Sequence, residues 1–196
     1  MSDIASVELP QEQVRRARIL EGATTVFLAY GFQRTTMEDI ARAAEISRPA
    51  LYLEFRNKTD IYRALAGEFL ARFLAAAETE LSTAEPLAIR LERAVSCCLG
   101  MVLDIEQSPH GADILDMKGS LAADVVANGR SRMQGLFERA IAREAESLGR
   151  PEARPSMLAS MILDAFDGMR LRNPPLADQR EAVGAYIRIA LASLDR

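Results

Sequence analysis

The sequence predicts an all-α protein, with an N-terminal helix-turn-helix unit of three helices and a larger C-terminal helical domain. Three observations carry this. Segments rich in Ala, Leu, Glu and Arg favour helix. Val, Ile and Thr do not cluster at the period of two that a half-buried strand requires. Between Thr36 and Lys58, two short apolar repeats, each preceded by a capping residue, are joined through Glu45-Ile46-Ser47.

Taken in order, residues 1–10 are expected to be a disordered arm. A first helix is expected from Gln11 to Tyr30, with Ile19, Ala23, Val26, Phe27 and Tyr30 as its apolar stripe and Gly31 as its stop. Thr36 and Asp39 have the spacing of a capping box, and Ile40, Ala41 and Ala44 continue at helical period. Ser47 can cap the next helix, where Pro49 falls in the first turn and lacks an N–H that would be unpaired anyway. Leu51 and Phe55 lie four apart and face inward. Arg48, Ala50, Tyr52, Leu53 and Glu54 are left to cover the other faces. Asn57 with Asp60 opens a further helix at Lys58, expected to reach about Leu81 through the ladder Ile61, Leu65, Phe69 and Phe73.

Beyond a break at Ser82 to Pro86, helices are expected over Pro86 to Gln107, Ala112 to Lys118, a long stretch after Gly119-Ser120 to about Leu148, Ser156 to Leu171, and a last one to about Leu194. Asn128-Gly129 is a candidate kink in the long stretch. Arg172-Asn173-Pro174-Pro175 is the strongest breaker, and Asp178 with Glu181 a candidate capping box for the last helix.

A short capped helix after a tight turn has the geometry that enters a DNA major groove, and equally that of an ordinary helical hairpin. The segment from about Arg16 to Leu65 resembles the DNA-binding domain of the TetR family of regulators. The resemblance lies in Ile19-Leu20, Ala23 through Phe27, Tyr30-Gly31-Phe32, Thr35-Thr36, Ile40-Ala41, Ala44 through Ser47, Leu51-Tyr52, Phe55, Lys58 and Ile61. It implies a helix-turn-helix DNA-binding domain over 11–57, a helical regulatory and dimerisation domain over 58–196, and a homodimeric, ligand-released repressor; a cytoplasmic location is expected separately, as the default where neither a membrane span nor a signal peptide is expected. It also carries roles onto residues. Tyr52 and Lys58 fall at phosphate-contacting positions, and Thr36 at a helix start facing the backbone. Arg48, Pro49, Ala50 and Leu53 fall on the exposed face of the recognition helix. Glu54 stands where an aromatic residue or histidine is usual.

Composition bounds the alternatives. With 196 residues and 27% charged, the chain can form one large or two small soluble domains. No apolar run of about 18 residues is free of charge, so no membrane span is expected. Asp3 and Glu8 argue against a signal peptide. The net charge of −4 opposes DNA binding only until it is divided. Residues 11–58 hold eight basic and six acidic residues, a balance of +2, which leaves −6 on the remainder. Cys97 and Cys98 are adjacent and His110 is the sole histidine, so neither a structural disulfide nor a metal cluster is expected. No phosphate loop or nucleophile motif is present, and neither enzyme activity nor a cofactor is expected.

The second half is rich in methionine, which suits either a plain core or an adaptable apolar pocket. Resemblance places a ligand cavity among the middle helices, with Cys98, Met101, Met133 and Phe137 as candidates. It also assigns the dimer interface to the last two helices, where Met161, Ala165, Val183, Ile187 and Leu191 are the candidates. The partners implied are double-stranded DNA carrying a palindromic operator, a small-molecule effector, a second copy of the chain, and no membrane. A helical enzyme, a lipid-binding bundle, and a regulator answering to a protein or to redox state are the competing classes. Operator sequence, effector, and repression against activation are not encoded in any motif.

Overall fold

A computed structural model describes residues 10–150, 152–172, 176–192 and 194. Among these, ten helices and no strand occur: α1 (Gln11–Tyr30), α2 (Met37–Ala43), α3 (Arg48–Glu54), α4 (Lys58–Leu81), α5 (Leu87–Glu106), α6 (Gly111–Asp116), α7 (Lys118–Leu121), α8 (Ala123–Ser147), α9 (Pro155–Arg172) and α10 (Leu176–Leu191). The expected arm, apart from Pro10, and the Asn173-Pro174-Pro175 breaker lie outside the described residues. None of the described helices is long and apolar enough to cross a membrane.

The chain divides into two compact units. One holds the residues up to Gly67 together with Ile105–Ala123, and the other holds Glu68–Asp104 and the residues from Asp124 onward. The expected boundary at 57/58 therefore falls inside the first unit. The cause is non-local packing. Ile61 and Tyr62 are buried there, the Tyr62 ring meets Phe32 edge-on at 5.6 Å, and its hydroxyl donates to the Ile114 carbonyl at 2.7 Å. The His110 N–H donates to the Leu28 carbonyl at 3.2 Å, and an Arg63 Nη to that of Leu121 at 3.0 Å.

In the first unit, α1 buries Ile19, Leu20, Ala23, Val26 and Phe27 at the three-and-four spacing of one helix face. Gly22 lies where α1 crosses α2: a Cβ there would sit 2.7 Å from the Ala44 backbone nitrogen, so only glycine allows this approach. Thr35, also buried, donates its hydroxyl to the Gly31 carbonyl at 2.8 Å and closes the turn into α2.

In the second unit, Leu74, Leu91, Val95, Leu99, Met133, Phe137, Ile141, Ile162, Phe166 and Ile187 are among the members of one apolar core. Fully burying each such side chain contributes about 1.5–3 kcal/mol. The half-buried Arg90 crosses this unit's edge, donating to the Leu81 carbonyl at 3.0 Å and to Glu144 at 3.1 Å. Arg130 on α8 pairs with Asp164 and Asp167 on α9. Two expectations change here. Gly129 does not interrupt α8; it is buried, and a Cβ would meet the Leu70 side chain at 2.9 Å, so it serves close packing of α8 on α4. Asp178 lies in the first turn of α10 rather than at its cap, because the helix begins at Leu176.

Candidate nucleic-acid interface

The short helices α2 and α3 are fixed by local chemistry. Thr36 accepts from the Asp39 N–H at 3.2 Å, and Asp39 accepts from the Thr36 N–H at 2.9 Å, which completes the capping box. The Thr36 hydroxyl, donating to the Asp39 carboxylate, and then the Thr36 N–H hold that carboxyl below its ordinary pKa. Ser47 caps α3 by accepting from the Ala50 N–H at 3.3 Å. Glu45, in the turn between them, adopts φ +54°, a left-handed conformation that disfavours a side chain. Its carboxylate pairs with Arg18 of α1 at 3.1 Å.

The packing separates the two faces of α3. Leu51 is fully buried and Phe55 nearly so. On the other side Arg48 and Pro49 are exposed, Ala50 is half-buried, Tyr52 is 46% exposed and Leu53 is 80% exposed. Tyr52 and Leu53 thus leave apolar surface uncovered beside the charged Arg48. Of the residues expected on this face, Arg48, Pro49, Tyr52 and Leu53 are exposed and Ala50 is partly covered.

Two of the expected site residues, Lys58 and Thr36, and their neighbour Glu54 stand differently. Glu54 does not face outward with its neighbours: its side chain is largely buried and accepts from Arg15 Nε at 2.7 Å, tying α3 to α1. Lys58 is turned inward. Its ammonium donates to the carbonyls of Phe32, Gln33 and Thr35 at 2.8, 3.1 and 3.0 Å and sits 4.6 Å from the centre of the Phe32 ring. An ammonium has three hydrogens, so none is left for a phosphate. Thr36 is exposed, but its hydroxyl already donates to Asp39 at 2.6 Å.

The arginines of this unit are largely paired. Arg42 pairs with Asp39 along α2, Arg56 in the link before α4 pairs with Asp60 in that helix's first turn, and the Arg16 guanidinium lies 4.6 Å over the Phe55 ring. Arg48 bonds Glu38 of α2 at 3.0 Å, and the Tyr52 hydroxyl, then this carboxylate, favour its charged form. The sequence reading missed Glu38. Its partner lies ten positions on, across the turn, and no helical periodicity links the two.

The ligand and dimer candidates divide. Cys98, Met133 and Phe137 enter the core of the second unit, while Met101 is half-buried and outside that cluster. Burial pushes the Cys98 thiol well above its ordinary range, which leaves it a poor nucleophile. Met161 is 47% exposed and Ala165 half-buried; with Tyr186, Ile189 and Ala190 they line a shallow groove. Val183, Ile187 and Leu191 instead pack into their own chain's core and cannot form an outward surface.

Comparison with known proteins follows the same division. Residues 19–65 match the family described as bacterial regulatory proteins, tetR family. The HTH-type transcriptional regulator TtgR of Pseudomonas putida is 42% identical over 55 residues, 28% of this chain and 26% of TtgR. The chain therefore aligns with about a quarter of that relative's length. The fold extends further. SmeT, the repressor of the Stenotrophomonas maltophilia multidrug efflux pump SmeDEF, superposes with a TM-score of 0.67 at 22% identity, covering 91% of this chain and 89% of SmeT. A SmeT-triclosan complex gives the same TM-score at 23% identity, covering 92% and 91%.

Proposed function

We propose that this chain, whose residues 19–65 match the tetR family of regulators, is a sequence-specific DNA-binding repressor, homodimeric and cytoplasmic, released from a palindromic operator by a small, mostly apolar ligand. The observation that carries this is the outward face of α3, where Arg48, Tyr52 and Leu53 are exposed while Leu51 is buried behind them. Arg48 can donate two hydrogen bonds to a guanine edge, worth about 1–3 kcal/mol of discrimination. Pro49, Ala50 and Leu53 offer apolar contact to thymine methyls. The Tyr52 hydroxyl reaches a phosphate, which positions the helix without reading sequence. Thr36, at the start of α2, lies near the backbone and reaches it only if Asp39 gives way.

The dimer reading moves to the outward stripe of α9 and α10. Met157, Met161, Ala165, Tyr186 and Ile189 supply the apolar surface that Val183, Ile187 and Leu191 do not. Two recognition helices then meet successive major grooves about 34–36 Å apart, which calls for a palindrome.

The SmeT-triclosan complex supports a small effector. Among Cys98, Met133 and Phe137 it must displace packed side chains, so it selects a rearranged state. The helix α4 starts in the first unit and ends in the second, which gives the covalent route for release. A ligand that weakens DNA binding about a hundredfold is itself weakened by DNA to the same extent.

Selection of duplexes from a random-sequence pool tests the reading. Enrichment of a palindrome is expected; a pool that stays random after repeated rounds would overturn it.

A further inference from the structure

We propose that Glu38 is a specificity-determining residue, whose carboxylate keeps the Arg48 guanidinium off the phosphate backbone and holds it for a base edge. This rests on reading α3 as the base-contacting helix.

The geometry distinguishes this ion pair from the others in the unit. Arg42 pairs with Asp39 three residues away on α2, and Arg56, in the link before α4, pairs with Asp60 four residues away. Arg15 and Arg18 extend from α1 to Glu54 and Glu45. Glu38–Arg48 alone of these pairs joins α2 to the outward face of α3, through Arg48 Nη1 and Glu38 Oε2 at 3.0 Å. Both side chains are about half exposed, 56% and 52%, so burial does not lock the arginine. An arginine at such a position ordinarily samples many rotamers, and the nearest polyanion on docking is the backbone.

Glu38 changes that choice in two ways. Its bond uses one guanidinium nitrogen, and a guanidinium carries five N–H donors in a planar fork. Four N–H groups remain, enough to donate to guanine O6 and N7 without breaking the pair. Swinging Arg48 to a phosphate would instead break it and leave an unpaired carboxylate among the phosphates, where like charge repels. The pair therefore weakens non-specific docking more than specific docking.

The test uses Glu38→Gln, which keeps the shape and removes the charge, with thermal melting to establish that the variant is folded. The probes are the duplex that the wild-type chain enriches from a random pool and a shuffled duplex of the same composition. Affinities are measured over a salt series. Glu38→Gln should tighten the shuffled duplex about three- to tenfold, steepen its salt slope by about one, and tighten the enriched duplex less. The ratio of the two affinities then falls about three- to tenfold, with discrimination relaxed at one guanine position. In an Arg48→Ala background the same change should leave the ratio within about twofold. Equal tightening of both duplexes, or the same loss of ratio without Arg48, would overturn the assignment and leave Glu38 a general negative charge. A wild-type chain that enriches no duplex would overturn the reading of α3 itself, and this proposal with it.

Discussion

Lys58 ends on three carbonyls rather than in solvent, and that fact changes what its removal should do. Without the ammonium, the turn between α1 and α2 has three carbonyls of Phe32, Gln33 and Thr35 deprived of a charged donor. Lys58→Ala should lower stability by about 1–3 kcal/mol in denaturant melts, since charged hydrogen bonds are worth more than neutral ones. Its salt slope for DNA should stay at the wild-type value. A slope flatter by about one would place the ammonium on a phosphate instead. Tyr62 gives a pH prediction. Burial pushes its hydroxyl up from 10.0 to about 12. The unfolded chain thus ionises this phenol before the folded one does, and stability held below about pH 10 is lost as pH rises towards about 12. Wild type should lose about 2 kcal/mol more than Tyr62→Phe across that window. Parallel stability curves for the two would contradict this.

At the scale of the element, helical period decides which surfaces exist. Successive i, i+4 steps rotate about 40° around a helix, so Met157 and Met169 differ by about 120°. Met157 is half-exposed and Met169 fully buried, although both sit on one apparent stripe of the sequence. On α10, Val183 and Ile187 turn inward, while Ile189 is 71% exposed. Ile187→Glu should therefore unfold the second unit, which shows as a lost melting transition. Ile189→Glu should keep the fold and shift the chain from dimer to monomer in sedimentation at micromolar concentration. An Ile189→Glu chain that remains dimeric would put the interface elsewhere. The helices themselves were legible, because caps and apolar spacing are local: Thr36 with Asp39, Ser47, and Asn57, whose side chain accepts from the Asp60 N–H at 2.9 Å. Which of two apolar faces meets the core was not legible, since both read alike without the neighbouring helix. Gly119 and Ser120 were expected to be a link and belong to the four-residue α7, too short to show a period.

At the scale of the whole molecule, the sequence leads to an expected boundary at 57/58, and the compact units divide elsewhere. Ile105–Ala123 joins the first unit through contacts to residues far away in sequence, of Tyr62 with Ile114 and of His110 with Leu28, which no local pattern announces. The exposed face of α3 was legible because it is the complement of Leu51 and Phe55. Its electrostatic setting was not, because Glu38, Glu45 and Glu54 find their arginines across turns and between helices. The central claim is that this face reads base sequence. Its most direct test is footprinting and competition binding on the duplex that the wild-type chain enriches. The account predicts protection of two symmetric half-sites and, for Arg48→Ala, a loss of about 1–3 kcal/mol against the enriched duplex alone. Equal weakening on enriched and shuffled duplexes would contradict it, since Arg48 would then be holding phosphate rather than reading a base.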